Sequence, residues 1–376
     1  MDLSLQKVSK YVSKGLSINP DELQNCFSPA TKQDLAGLIK LRKNFLKGPP
    51  LWDDRRYLEW RYSFDEGSSN HNKIWVFKKD NNILACLGSE EVTLCINKNK
   101  IRAHKVMDLL VHPEIEGIGF GAWMTLVFMN EFPTIFATGA TRSSYSMISS
   151  LFCEMEHRQT YKLHIRVNAR LKCKLKSELL GNILSIPINL ALSIYQNLTY
   201  RALPDGYTLK PLNSIPEKVD TFIDENCGQT HVQRTKKYLD WRFIENPRRK
   251  FIILGLYVDD ELTGVSFSII NNSATNDQKE GFIIDWIYNK STASSKKIAR
   301  YLLQETVKYL KKEKLNSILS SVYDISSSNT FSALGFIKRN YNETFFTYTS
   351  DKNLEQYLYD NKLWYLTESD ANTDLY

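Results

Sequence analysis

The sequence predicts an α+β protein built from two diverged copies of one unit, residues 1–170 and 206–376, joined by a helical connector at 171–205. The first observation behind this is an internal repeat. YLEWRY at 57–62 returns as YLDWRF at 238–243, VMDLLVHP at 106–113 as IIDWIYNK at 283–290, and SSYSMISSLF at 143–152 as SSNTFSALGF at 327–336. The three matches keep one order at offsets of 181, 177 and 184. The second observation is that each copy runs from strand-like segments to a long helix, a short strand and another helix, the mark of a mixed sheet flanked by helices. The third is size and balance. A chain of 376 residues with 42% hydrophobic and 24% charged residues can form two ordinary cores.

Taken in order, each copy opens with a helical part that ends at its Trp-Arg segment. Strands follow at KIWVFKKD (73–80), ILACLGSEEVTLCI (83–96) and RAHKVMDLLV (102–111), answered by KFIILGLYVDD (250–260), ELTGVSFSII (261–270) and EGFIIDWIY (280–288). Their β-branched and aromatic residues suit strands, and the DNN and DDE turns between runs predict hairpins. The long helix is GAWMTLVFMNEF (121–132) in one copy and SKKIARYLLQETVKYLKKEK (295–314) in the other, where Ile298, Tyr301, Leu302, Glu305 and Tyr309 recur near helical spacing. TIFATGA (134–140) and SILSSVY (317–323) read as the short strands, each before a closing helix.

The connector contains LLGNILSIPINLALSIYQNL (179–198), whose apolar run is interrupted by Gly181, Pro187 and three asparagines. These interruptions favour a buried connecting helix over a transmembrane span. The basic run KCKLK (172–176) just before it leaves a peripheral membrane contact open. A net charge of +7 suits anionic small substrates as well as nucleic acid, and no nucleic-acid motif accompanies it. The six cysteines, at 26, 86, 95, 153, 173 and 227, form no CxxC pair, and MDLSLQKVSKYVSKGLS lacks a signal-peptide core. A cytoplasmic monomer is the expectation. The tail DANTD (370–374) has the spacing of a calcium loop without its glycine or final glutamate, so no metal site is expected.

The most informative stretch is HPEIEGIGFGAWM (112–124), with glycines at 117, 119 and 121 between a strand and a helix. Glycine lets backbone approach a ligand closely, and a helix start offers unpaired N–H groups to phosphate. No GK[ST] follows, so it is not a Walker loop, and the glycine spacing is wrong for a dinucleotide fingerprint. VHPEIEGIGFGAWM resembles the acyl-CoA-binding motif of the GNAT N-acyltransferases, V-x-P-x-x-(Q/R)-x-x-G-x-G/A, with Glu116 at the Gln/Arg position and Gly119 and Gly121 as the motif glycines.

That resemblance implies two GNAT-like domains and a coenzyme A pyrophosphate cradled by Glu116, Gly117, Ile118, Gly119, Phe120, Gly121 and Ala122, the pantetheine arm lying along Leu109, Leu110 and Val111. The second copy has YNKSTASSKKIAR here, without glycine, so one acyl-CoA site is expected, with the acceptor on the second copy's side. There Lys290, Lys296 and Lys297 read as a solvated helix start or as cations that attract anions. Asn329, Gly335 and Phe336 resemble the family's closing helix–strand, N-x(5)-G-F. The Trp-Arg segments and the tail LWYLTESDANTD resemble nucleotide-amino-sugar N-acyltransferases of bacterial surface-polysaccharide assembly.

The implied reaction moves an acetyl or short acyl group, hydroxyacyl included, to the amine of a nucleotide-linked amino sugar. The alternatives are a peptide or protein amine, an aminoacyl transfer, and a non-catalytic acyl-CoA-binding module. Asp108 is the first candidate base, since burial would raise its pKa, and His104, on the same strand face, is the second. His112 reads as background. The family's closing-helix tyrosine is replaced by Phe152 and Phe331, and Tyr145 falls too early in its helix. Trp60, Arg61, Trp241 and Arg242 read either as contacts to a nucleotide diphosphate or as packed helix ends. Asp285, the counterpart of Asp108, reads as an acceptor-side contact or as a shared structural aspartate.

Overall fold

The computed structural model describes residues 4–45, 55–64, 71–97, 99–155, 159–224, 229–272, 279–290, 294–323, 325–339 and 344–371. Its hairpins form where the turn chemistry demands. Asp80–Asn81 (φ 50° and 62°) and Asp259–Asp260 (φ 49° and 61°) make equivalent two-residue turns between Lys73–Lys79 and Asn82–Ile96 and between Ile252–Val258 and Glu261–Asn272. Aspartate and asparagine are the non-glycine residues that tolerate left-handed backbone, and this geometry matches the twist of paired strands.

Two mixed sheets result. The first runs Phe27–Pro29, Lys73–Lys79, Asn82–Ile96, Asn99–Val111, Thr134–Thr138, Phe345–Thr349 and Cys153–Glu154. The second runs Ile337–Arg339, Gln159–His164, Ser317–Tyr323, Lys279–Tyr288, Glu261–Asn272, Ile252–Val258 and Tyr207–Pro211. In each, one parallel contact interrupts otherwise antiparallel pairing: Asn99–Val111 with Thr134–Thr138, and Lys279–Tyr288 with Ser317–Tyr323. The helix Phe120–Glu131 sinks Phe120, Trp123, Met124 and Phe128 into the first core, where Leu5–Leu16 adds Val8, Val12 and Leu16. The helix Ser295–Lys311 does the same in the second core with Ile298, Tyr301, Leu302 and Val307.

The sheets do not follow the 1–170 and 206–376 boundaries. Gln159–His164 pairs with Ser317–Tyr323 and Ile337–Arg339 in the second sheet, while Phe345–Thr349 lies between Thr134–Thr138 and Cys153–Glu154 in the first. The short strand His231–Val232 also joins the first sheet, against Leu94 and Cys95, so the first copy lends one strand and the second lends two. A β-strand bonds to any free edge of matching register, so pairing can exchange without any change in local sequence pattern.

The connector also departs from expectation. Asn168–Leu175 and Glu178–Thr199 form a helical hairpin, and the long helix continues through Pro187. Only Gly181, Ser185 and Gln196 of that helix are buried, so it is not a core helix.

Candidate active site

The strands Asn99–Val111 and Thr134–Thr138 pair from His104–Ile135 to Val106–Ala137 and then part. From Met107 onward the first strand keeps its partner on one edge, Asn82–Ile96, and its other edge faces an open cavity of ≈300 Å³. Leu109, Leu110, Ala137, Thr138 and Phe152 are among its walls. At the cavity's end the chain turns through Pro113–Ile115 into the glycine loop. Gly117 (φ 85°) and Gly119 (φ 74°) adopt left-handed backbone that a β-carbon would strain. Nothing lies within 4 Å of a β-carbon built on Gly117, and only Tyr11 comes within 3.8 Å of one on Gly119. Gly119 is the N-cap of Phe120–Glu131, and the Trp123 amide is the first to bond back, to the Gly119 carbonyl. The amides of Phe120, Gly121 and Ala122 thus have no carbonyl within the helix to bond. The chain offers an exposed, positively polarised backbone cradle beside an apolar slot, which fits a pyrophosphate carrying a flexible thiol arm. Glu116 is exposed.

Asp108 lies where the strands part, and its geometry overturns the expected role. A bulge sets Asp108 (φ 52°) and its neighbour against one residue of the adjoining strand, which turns Met107 and Asp108 to the same face. Asp108 is thereby separated from His104. Its carboxylate accepts from Arg42 at 2.9 Å and from the Tyr62 hydroxyl at 2.6 Å. Burial alone would raise its pKa; the Arg42 guanidinium and the Tyr62 hydroxyl outweigh burial and hold it below the ordinary carboxylate value. Asp108 stays ionised and has little appetite for a proton. His104 is turned into the core, its Nδ1 paired with Ser89 at 2.9 Å and its ring against Phe132, and burial pushes its pKa down to about 4. It does not line the cavity. Tyr145 is at the surface, donating to Glu154 at 2.7 Å, and His112 caps the Pro113–Ile115 turn.

No protein-family model matches the sequence, and no curated protein matches it. Solved structures do. A protein of Enterococcus faecalis described as a probable N-acyltransferase superposes with a TM-score of 0.57 at 10% identity, over 85% of this chain and 71% of that one. Saccharomyces cerevisiae N-myristoyltransferase with bound myristoyl-CoA gives 0.52 at 11% identity, over 86% and 82%. A tandem GNAT protein from the clavulanic acid biosynthesis pathway gives 0.50 at 13% identity, over 86% and 98%. The fold is the GNAT N-acyltransferase fold, present twice.

The second GNAT copy has its own split, because Lys279–Tyr288 pairs with Ser317–Tyr323 only from Glu280 to Ile283. Here the chain fills the inner part itself. Leu366–Thr367 pairs with Val322 and Tyr323, and the Tyr365 hydroxyl donates to the Trp286 carbonyl at 3.0 Å. An outer cavity of ≈730 Å³ remains, lined by Lys290, Lys296, Lys297 and Arg300 among others, so the lysines surround an open space rather than a plain helix start. Asp285 is fully buried, accepting from Arg234 at 2.7 Å and Ser369 at 2.6 Å. It is a structural aspartate out of reach of any acceptor; burial first, and the neighbouring Asp370, raise its pKa despite Arg234.

The Trp-Arg segments join the two GNAT copies. Trp60 and Trp241 stack at 5.0 Å, and each indole N–H donates to the other's carbonyl, at 3.0 and 3.2 Å. Arg61, Arg242 and Lys105 converge on Glu90 at 3.1, 3.6 and 2.9 Å. Arg61 and Arg242 are both 1% exposed, so neither meets a nucleotide. This packed reading replaces substrate contact for all four residues. Sequence reasoning missed Arg42, Tyr62, Glu90 and Lys105, since nothing local links Arg42 to Asp108 across 66 positions. The small residues of ATGAT (137–141) were the available signal for the cavity's far wall.

Proposed function

We propose that the protein is an acyl-CoA-dependent N-acyltransferase that uses the first copy's cleft. The observation that carries this is the open glycine cradle at the end of a split strand pair, with no strand among the described residues bridging the split. Acyl-CoA would rest its pyrophosphate on the amides from Gly117 to Ala122 and its pantetheine along Leu109 to Val111, with the thioester toward the ≈300 Å³ cavity. The acceptor's amine nitrogen adds to the thioester carbonyl carbon, a backbone amide near Leu109 holds the oxyanion, and the C–S bond breaks to release CoA thiolate, which takes up a proton. The titratable side chain in the cavity wall is Asp108, already held by Arg42 and Tyr62, so the amine loses its proton to water. An acceptor amine of pKa ~8 makes that route adequate.

The acceptor class we favour remains a nucleotide-linked amino sugar, on the resemblance of the tail alone, since the Trp-Arg segments no longer support it. The test is thiol release from acetyl-CoA and longer acyl-CoAs against amino-sugar nucleotides and peptide amines, with CoA binding measured in parallel. Release with one amine class is expected, and Gly119→Val should weaken CoA binding at least tenfold. Unchanged binding in that variant would remove the cradle assignment. Tight binding without release for any amine would leave a binding module in place of an enzyme.

A further inference from the structure

The helix Glu178–Thr199 is built inside-out for water. Its inward stripe is small or polar: Gly181, Ser185, Asn189 and Gln196, at helical spacing. Asn189 bonds Asn168 at 2.7 Å and the Val167 amide at 2.9 Å, and Gln196 donates to the His164 carbonyl at 2.9 Å. A β-carbon on Gly181 would come within 2.7 Å of the Lys172 backbone nitrogen, so the glycine permits close helix approach. The outward face is mostly apolar, interrupted by the exposed Asn182, Ser193 and Asn197: Leu179 is 70% exposed, Ile186 67%, Leu190 61% and Leu198 81%. Eleven of the fifteen exposed large hydrophobic residues among those described fall between Leu175 and Leu198, so this is one patch and not scatter. Small residues toward the protein and branched aliphatics away from it is the order a helix adopts beside lipid.

Charge identifies the occupant. Residues 166–177 hold Arg166, Arg170, Lys172, Lys174 and Lys176 and no acidic residue. Lys174 and Lys176 are exposed beside the apolar patch. The companion helix Asn168–Leu175, at ~1.5 Å per residue, is ~12 Å long and cannot recross a hydrocarbon core of ~30 Å. Both ends of the hairpin return to the second sheet, through Gln159–His164 and Tyr207–Pro211. We propose that this hairpin docks the protein on an anionic lipid bilayer, the long helix lying in the interface with its apolar face among the acyl chains and the basic side chains on headgroups. The inference stands on the hairpin alone and does not depend on the acyl-transfer reading.

The test is co-sedimentation of the full chain with phosphatidylcholine vesicles, with and without a phosphatidylglycerol fraction, plus light scattering without lipid. Wild type should sediment with the anionic vesicles at low salt. Arg170→Glu/Lys174→Glu/Lys176→Glu should lower that partition at least tenfold. Ile186→Ser/Leu190→Ser should lose it while keeping the wild-type unfolding curve, since both side chains face solvent. Failure of wild type to bind either vesicle overturns the proposal, as does undiminished binding by the serine variant. A wild-type dimer that the serine variant turns into monomer, with no vesicle binding, would assign the face to a second copy and overturn it as well.

Discussion

Replacing Glu90 with Gln should loosen both halves of the molecule at once. Glu90 is 1% exposed and is met by Lys105 and Arg61 from the first copy and by Arg242 and the Tyr238 hydroxyl from the second. Burial raises its pKa, but Lys105, Arg61 and Arg242 outweigh burial and bring it from 4.5 down to about 2. At ~1.4 kcal/mol per pKa unit, that shift corresponds to ~3 kcal/mol of stability at neutral pH. Removing one partner from a buried charge cluster costs about 3–5 kcal/mol, so the two routes agree. Lys105 limits the loss: burial already pushes it down to about 8, and without Glu90 it sheds its proton more readily. The assay is urea unfolding followed by tryptophan fluorescence, with the Trp60–Trp241 stack as reporter, alongside far-ultraviolet circular dichroism. A carboxyl whose folded pKa is depressed contributes fully above its unfolded value and loses that contribution as pH falls. The gap between wild type and variant should therefore be ~3 kcal/mol at pH 7 and close between pH 4.5 and 2. A gap below ~1 kcal/mol at pH 7, or one that does not narrow in acid, would refute the claim that this carboxylate ties the halves together.

Asp108→Asn should cost about 3–5 kcal/mol by stranding the buried Arg42 charge, and should leave the pH–rate profile of any acyl transfer in place, because Asp108 is already ionised; a lost basic limb would restore it as the base. His104, neutral in the fold down to about pH 4, binds its proton later than the unfolded chain does, so wild type should lose stability between pH 6.5 and 4; His104→Gln should lack that component in acid titration of the urea midpoint. Residues 1–170 and 206–376 expressed separately should each fail to give dispersed amide spectra, since each lacks a strand lent by the other, and co-expression should restore them in part.

Much of the fold was legible because it is written locally. The repeat, the hairpin turns at Asp80–Asn81 and Asp259–Asp260, and the strand–glycine–helix passage at 111–122 all rest on residues within a few positions of one another. What the sequence concealed is non-local. Strand alternation put Asp108 on the face of His104, and a single bulge reversed that, because one extra residue in a strand inverts every face beyond it. Arginine and tryptophan at the Trp-Arg segments have the same composition whether they bind a phosphate or a buried carboxylate. Only the position of Glu90 decides between the two, and it lies 29 residues from Arg61 and 152 from Arg242. The connector's glycine and Asn189 counted against a transmembrane span in sequence; in three dimensions they lie on the helix's inner stripe with Gln196, and the polarity of Asn189 and Gln196 is spent on the protein, while Asn182 and Asn197 stay exposed.

The different fates of the two clefts follow from one physical requirement. Wherever two parallel strands part, each exposes an edge of backbone donors and acceptors that must be satisfied. In the first copy the edge beyond Val106 faces an open slot, and the glycine loop beside it keeps room for a ligand's phosphates. In the second copy the edges beyond Ile283 and Ser320 are met by the chain, through Leu366–Thr367 and the Tyr365 hydroxyl. Once a cleft is satisfied internally, a glycine cradle at its end gains nothing, and the sequence there carries lysines and serines instead. The missing glycines at 289–297 and the inserted tail are thus two sides of one change, which leaves the second copy to complete the first through exchanged strands and the Glu90 cluster.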